Sequence, residues 1–132
     1  MRKINQIILH CSDSPHDHHD EISIIRQWHL ERGFNDVGYH YFIQGNGNIQ
    51  KGRNESVIGA HCRGQNMNSV GICLHGRDKF SIAQFKSLAK LLEEIKSRHK
   101  INRVSGHSEY DKGKTCPNFT IYDVIRITNL IK

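Results

Sequence analysis

Three residues of the kinds that bind transition metals give this chain its clearest chemical signal: His10, His107 and Cys116. His10 ends an apolar run, whereas His107 and Cys116 lie together in a short stretch much later in the chain. Two imidazoles and one thiolate would fill three positions of a tetrahedral zinc ion and leave the fourth for water or substrate. An open position distinguishes a catalytic zinc from a structural one. The pattern therefore predicts a hydrolytic zinc site.

Length and charge narrow the class of protein. The chain has 132 residues, which suits one domain (residues 1–132) with an ordinary core, and a formal net charge of +6. A positive balance favours encounter with polyanions such as nucleic acid, anionic lipid or anionic cell-wall polymer, although it also simply solubilises a surface. Because no zinc knuckle, helix-turn-helix or aromatic-rich RNA-binding pattern occurs, nucleic-acid binding is not expected.

The apolar runs are too short for export or membrane insertion. The run that follows the charged residues Arg2 and Lys3 extends only over 7–9 and ends at His10, whereas a signal peptide needs a longer apolar region. No stretch approaches the roughly 18 apolar residues of a membrane span. We therefore expect a protein made in the cytoplasm, without a visible signal peptide and without a membrane span.

The four cysteines do not have the spacing of a disulfide-stapled domain or of a structural zinc finger, since no CxxC pair occurs. Reduced thiols are the expectation. Cys11 and Cys73 stand in apolar contexts that predict small buried residues. Cys62, between glycines, has no predicted role.

Periodicity predicts strands that alternate with helices. Short β-rich or apolar segments bounded by turn residues predict strands at 4–10, 39–44, 49–51, 70–75 and 103–106. Helix-capping residues precede three amphipathic segments: Asp20, Ser81 with Gln84, and Thr120 with Asp123. Gly33 is expected to end the first helix, and Gly71 to mark a close neighbouring backbone. The predicted fold class is α/β, a single domain with a central sheet of about five strands flanked by three helices.

This arrangement would bring the metal-binding residues together. His10 and His107 each fall at the carboxyl end of a predicted strand, where sites of α/β folds gather, and Cys116 lies in the loop that follows. The other histidines have simpler interpretations. His29 and His40 are expected to be partly buried, His75 and His99 to lie on the surface, and the segment 16–20 to form a solvated loop.

A series of segments, in order along nearly the whole chain, resembles the zinc-dependent N-acetylmuramoyl-L-alanine amidases. These belong to the type-2 amidase and peptidoglycan-recognition-protein superfamily, and the similarity is greatest to its T7 lysozyme-like branch. The segments are 10–12, 25–29, 33–40, 52–53, 59–61, 68–74 and 106–117. The resemblance implies a mixed sheet, a zinc ion held by His10, His107 and Cys116, and a peptidoglycan or muropeptide substrate.

The resemblance further implies that Tyr39 and Lys114 assist cleavage of the amide between the lactyl group of N-acetylmuramic acid and L-alanine. Lys114, two residues before a ligand, could stabilise an oxyanion, and Tyr39 could orient the attacking water. Read from sequence alone, a solvated lysine and a core tyrosine are the alternatives. His61 resembles the family's substrate-groove histidine, with a structural hydrogen bond as its alternative. Ser108 and Glu109 replace the Arg-Asp pair of many relatives, which leaves the shape of the loop 108–113 open.

Three functions compete at this point. The first is a lytic enzyme of phage or prophage type, or a wall-remodelling enzyme, that acts on the cell wall after release or export. The second is a module that binds muropeptide without cutting it. The third, by family analogy alone, is binding to RNA polymerase. A monomer is expected in each case.

Overall fold

The computed structural model describes the backbone of residues 2–130 and the side chains of residues 2–126. Five strands form one sheet in the order β3-β2-β4-β1-β5. They are β1 (Gln6–Cys11), β2 (Tyr41–Ile43), β3 (Ile49–Lys51), β4 (Ser69–Leu74) and β5 (Arg103–Gly106). The three helices are α1 (Ile22–Glu31), α2 (Ile82–Arg98) and α3 (Ile121–Leu130). Among the described residues, no helix is both long enough and apolar enough to cross a membrane.

The sheet is mixed, as predicted. β1 lies between β4 and β5 and runs parallel to both, while β2 runs parallel to β4. Only the edge strand β3 is antiparallel, because a tight turn joins it to β2. In that turn the N–H of Gln44 donates to the carbonyl of Asn48 at 2.9 Å. The predicted α/β class with about five strands and three helices is confirmed.

Helices cover both faces of the sheet because successive side chains of β1 point to opposite faces. Ile7 and Leu9 belong to the larger apolar cluster, which also contains α2 and the start of α3. A smaller cluster on the other side contains Ile22 and Ile25 of α1 together with Phe42 of β2. The interior strand β1 is buried along its whole length, which makes it a rigid support for His10 near its end.

The caps predicted for α2 and α3 are present. The N–H of Gln84 donates to the hydroxyl of Ser81 at 3.0 Å, and the Gln84 side-chain oxygen accepts from the Ser81 N–H at 2.8 Å. Thr120 and Asp123 exchange the same two bonds at the start of α3. These reciprocal bonds satisfy N–H groups that a helix start otherwise leaves without partners.

The predicted cap of α1 was wrong. The residue at the N-cap position is Glu21, and the carboxylate of Asp20 instead accepts from the N–H of Gly45 at 3.0 and 3.2 Å. Asp20 therefore ties the entry of α1 to the turn between β2 and β3. Gly33 does follow the end of α1 with a φ of +91°, as expected for a glycine stop.

Candidate functional site

Strand register brings the two candidate histidines together. Leu9 of β1 pairs with Gly106 of β5, so the residues that follow, His10 and His107, emerge side by side at the same edge of the sheet. Their ring centroids lie 4.7 Å apart. His107 then opens a single 3-10 turn, His107–Glu109, that turns the chain back toward β1.

Cys116 reaches the same place through backbone contacts. The N–H of Ser108 donates to the carbonyl of Cys116 at 2.9 Å, and the N–H of Cys11 donates to its Sγ at 2.9 Å. Gly106 permits this approach, because a Cβ there would lie 2.7 Å from Cδ of Pro117. Cys11 is buried as predicted, and its backbone also anchors the Cys116 sulfur, a contact that no sequence pattern indicates.

Potential ligand atoms of His10, His107 and Cys116 all lie within 4.8 Å of one another. Among the residues that the structure describes, this is the one group of three with that geometry. The segment 16–20 forms no such group, although the ring centroids of His18 and His19 lie only 4.1 Å apart. The structure therefore brings His10, His107 and Cys116 together, as their positions at or after strand ends predicted.

The electrostatics of the group suit a divalent cation. Burial, followed by the neighbouring His61 and His107, lowers the pKa of His10 well below its ordinary value, so the imidazole is neutral. The adjacent Cys11 thiol and burial raise the pKa of Cys116, so a thiolate there needs a positive charge beside it. Two neutral imidazoles and one thiolate are a donor set that zinc prefers.

Tyr39 lies directly beside the group, just before β2. Its ring centroid is 5.0 Å from that of His10 and 5.4 Å from that of His29. Burial raises the pKa of Tyr39 well above its ordinary value, and the thiols of Cys73 and Cys116 add to the effect. The phenol therefore keeps its proton at neutral pH and can both donate and accept hydrogen bonds.

Lys114 is exposed on the loop between the 3-10 turn and Cys116. Its N–H donates to the carbonyl of Asp111 at 3.0 Å, which closes a tight turn. Burial lowers the pKa of His107, the charge of Asp111 raises it, and the charge of Lys114 lowers it. The loop whose shape the sequence left open places Lys114 on the cleft that His107 and Cys116 also line.

A cleft of about 680 Å³ opens over these residues. Tyr39, His61, His107, Lys114 and Cys116 all line it. Its walls also carry Arg32 and Arg63, which the sequence analysis missed. Neither arginine belongs to a recognisable motif, and only the folding of separate loops brings them to one cleft.

His61 lies on the cleft wall but is largely buried, with 8% of its surface exposed. Its Nδ1 is 2.9 Å from Nε2 of His10, and its Nε2 is 3.1 Å from the hydroxyl of Ser69. Burial and the neighbouring His40 and His107 lower the pKa of His61 to about 3. Contact with substrate stays a prediction, whereas the hydrogen bond to His10 is direct.

The predicted burial of the remaining histidines is confirmed for His29 and His40 and wrong for His75. His29 and His40 are buried, and their Nδ1 atoms accept from the N–H groups of Gly38 and Gly71 at 2.8 and 3.0 Å. His75 was expected at the surface but is only 8% exposed. Its backbone N–H donates to the carbonyl of Ile43 just past the end of β4, and its ring lies against that of Phe42, with the ring centroids 6.5 Å apart.

His99 was also expected at the surface, but its side chain is 25% exposed. Its ring reaches the carboxylate of Glu55 at 2.5 Å, and Arg98 reaches the same carboxylate at 2.8 Å. The partner lies 44 residues away in the chain, so local sequence gives no sign of it.

Comparison with known protein families gives one match over most of the chain. Residues 1–119 match the family described as N-acetylmuramoyl-L-alanine amidase. The matched range includes every residue of the group and of the cleft wall named above.

Individual relatives agree with that match. The endolysin of Escherichia phage T7 is 37% identical over 123 residues, which cover 87% of this chain and 81% of the phage protein. Peptidoglycan-recognition protein SC2 of Drosophila melanogaster is 34% identical over 114 residues, 80% of this chain and 61% of the fly protein. Among solved structures, the N-acetylmuramoyl-L-alanine amidase LysC from Clostridium intestinale superposes with a TM-score of 0.86 at 26% identity, covering 97% of this chain and 87% of that one.

Proposed function

This chain belongs to the N-acetylmuramoyl-L-alanine amidase family, and from that premise we propose that it cleaves peptidoglycan with a zinc ion held by His10, His107 and Cys116. The bond is the amide between N-acetylmuramic acid and the L-alanine of the stem peptide. The observation that carries the proposal is the convergence of potential ligand atoms of those three side chains within 4.8 Å, beside a cleft that His107 and Cys116 line. We also propose that residues 1–132 form a single amidase domain.

Zinc would supply a Lewis acid at this position, which polarises the amide carbonyl and lowers the pKa of water toward ~7. The chain's own residues would do the rest. Tyr39, whose ring lies 5.0 Å from that of His10, keeps its phenolic proton and can hydrogen-bond the attacking water to fix its direction. The buried wall formed by His10 and His61 limits access of bulk water to one side.

Lys114 has the complementary role of stabilising charge. Attack on the carbonyl creates an oxyanion, and a fixed cation beside it lowers the barrier. The ammonium is carried two residues before the ligand Cys116, on a loop closed by the Asp111 carbonyl. We propose that this short connection places the cation within reach of the reacting carbonyl.

Arg32 and Arg63 supply the side of the cleft that would receive the stem peptide. Stem peptides carry free carboxylates, and guanidinium groups bind carboxylates through paired hydrogen bonds. Both arginines line the same cleft as His107 and Cys116. We propose that they bind the peptide while the sugar lies toward the open side.

The biological setting follows from the relatives. Similarity to endolysins of phages T7 and KP32 supports a lytic enzyme that meets the cell wall after release from the cytoplasm. We also propose that the protein acts as a monomer. The peptidoglycan-recognition relatives favour a second candidate, a module that only binds muropeptide.

Product analysis separates the two candidates. Purified protein is incubated with isolated peptidoglycan, and the soluble products are identified by mass. Free stem peptides that begin with L-alanine are expected of the amidase. Intact muropeptides bound to the protein, without any free stem peptide, would support the binding module and contradict the proposal.

A further inference from the structure

A series of hydrogen bonds leads from His10 through His61, at the cleft wall, to the buried Ser69. Nε2 of His10 lies 2.9 Å from Nδ1 of His61, and Nε2 of His61 lies 3.1 Å from Oγ of Ser69. The hydroxyl of Ser69 donates to the carbonyl of Gln65 at 2.6 Å. His10, His61 and Ser69 are all buried, with 1%, 8% and 0% of their surfaces exposed.

The bond between Ser69 and Gln65, at the inner end of this hydrogen-bond series, determines which ring nitrogens carry a proton. A carbonyl oxygen can only accept, so the single hydroxyl proton of Ser69 is used in the bond to Gln65. The Ser69 oxygen can then only accept from His61, which places a proton on Nε2 of that ring. Both side-chain partners of His61 are uncharged, so the buried ring is neutral and its Nδ1 carries a lone pair.

The same logic reaches His10. Because Nδ1 of His61 carries a lone pair, Nε2 of His10 must donate the proton in their bond. Nδ1 of His10 is then the nitrogen without a proton, and it is the atom free to bind a cation. Histidine ligands of metals usually donate their second ring N–H to a neighbouring acceptor, which sets the ring orientation and the tautomer.

We propose that His61 is a positioning residue, which together with Ser69 holds His10 in the tautomer that presents Nδ1 to the metal. This inference rests on the proposed zinc site and adds to it a role for a residue that the resemblance places only in the substrate groove. Metal affinity, rather than substrate contact, is the property that His61 sets.

The absence of a side chain at Gly71 allows the His61 ring to lie where it contacts His10. A Cβ at Gly71 would lie 2.6 Å from both Cγ and Cδ2 of the His61 ring, so the ring can lie against β4 only because this residue has no side chain. The sequence predicted a close neighbouring backbone at Gly71; the closest neighbour is this ring. The strand therefore contributes a flat surface that fixes His61 opposite His10.

The first test reads the tautomers directly. Long-range ¹H–¹⁵N correlation spectra of the zinc-free, ¹⁵N-labelled protein at neutral pH distinguish a ring protonated at Nε2 from one protonated at Nδ1. The expected result is Nε2–H at both His10 and His61. A proton on Nδ1 of either ring would overturn the proposal, and this outcome does not depend on whether zinc binds.

The second test measures zinc affinity by competition with a chromogenic chelator. His61→Leu removes the acceptor and is expected to weaken zinc binding by about 10- to 100-fold. His61→Asn places an amide oxygen near the position of Nδ1 and is expected to restore affinity to within a few-fold of wild type. His18→Leu, at an exposed histidine outside the cleft, is the matched control.

Equal losses in His61→Leu and His61→Asn, or wild-type affinity in His61→Leu, would overturn the positioning role. Failure of the proposed function has a different signature. In that case the wild-type protein itself would bind no zinc, while the spectra would still report the tautomers of His10 and His61.

Discussion

The backbone N–H of Cys11 donates a hydrogen bond to Sγ of Cys116 across 2.9 Å, although the two residues are 105 positions apart. The bond joins the end of the central strand β1 to the loop that follows β5. Hydrogen bonds to a charged acceptor are stronger than neutral ones, so this contact favours the thiolate form of Cys116. The third candidate ligand is thereby tied to the strand that carries the first.

Replacement of that sulfur tests the ligand set. Cys116→Ser is expected to lose bound zinc and to lower amidase activity by roughly 100-fold or more, since a Lewis acid supplies several kcal/mol of the barrier reduction. Metal content after gel filtration and the rate of stem-peptide release measure the two effects. Cys62→Ala, at another cysteine of the cleft wall, is the control and should retain its zinc. A fully active Cys116→Ser enzyme would rule out this ligand.

Lys114→Ala separates a catalytic cation from a solvated lysine. Loss of one group that stabilises an oxyanion costs about 3 kcal/mol, so kcat should fall by roughly 100-fold while zinc content stays the same. Lys112→Ala removes the same charge from an exposed neighbour outside the cleft lining and should leave kcat unchanged. Equal effects of the two substitutions would mean that only net charge matters.

Tyr39→Phe removes the hydroxyl but keeps the ring that packs against His10 and His29. If the hydroxyl orients the attacking water, kcat should fall by about 100-fold with little change in KM or melting temperature. Steady-state kinetics on a soluble muropeptide measure both constants. A phenylalanine variant with wild-type kcat would assign Tyr39 to packing alone.

The lowered pKa of Glu55 predicts how the free energy of unfolding depends on pH. Burial raises the pKa of Glu55, but hydrogen bonds from Arg98, Tyr41 and His99 outweigh it and lower the pKa to about 2, compared with an ordinary value of 4.5. Because the pKa of Glu55 is lower in the folded state than in the unfolded state, its ionised form stabilises the fold at pH values above about 4.5. This stabilisation is lost as the pH falls from about 4.5 through about 2.

Glu55→Gln should therefore destabilise the protein by roughly 1 to 2 kcal/mol at neutral pH. The difference from wild type should shrink as the pH is lowered toward 2. Urea unfolding at a series of pH values measures this difference, and Glu93→Gln, at an exposed position of α2, is the control. A difference that does not depend on pH would contradict the ionised network.

Local patterns predicted most of the framework. Apolar runs identified β1 and β4, and capping pairs identified the starts of α2 and α3, because these signals depend on neighbouring residues. His10 and His107 were placed correctly since the ends of adjacent parallel strands must meet. The fold and the candidate ligands therefore follow from short-range rules combined with one rule of topology.

The errors have a common physical origin. Asp20 binds Gly45 instead of capping α1, and the ring of His75 packs beside that of Phe42. Arg32 and Arg63 meet only in the folded cleft. Each depends on a partner distant in sequence, which no local pattern encodes.

The zinc dependence of the cleavage reaction is the most direct measure of whether His10, His107 and Cys116 form a catalytic zinc site. The purified protein is stripped with a chelator, assayed for release of stem peptides that begin with L-alanine, and assayed again after addition of one equivalent of zinc. We predict that activity disappears on chelation and returns at that stoichiometry in the wild type but not in Cys116→Ser. Cleavage that survives both chelation and Cys116→Ser would contradict the account.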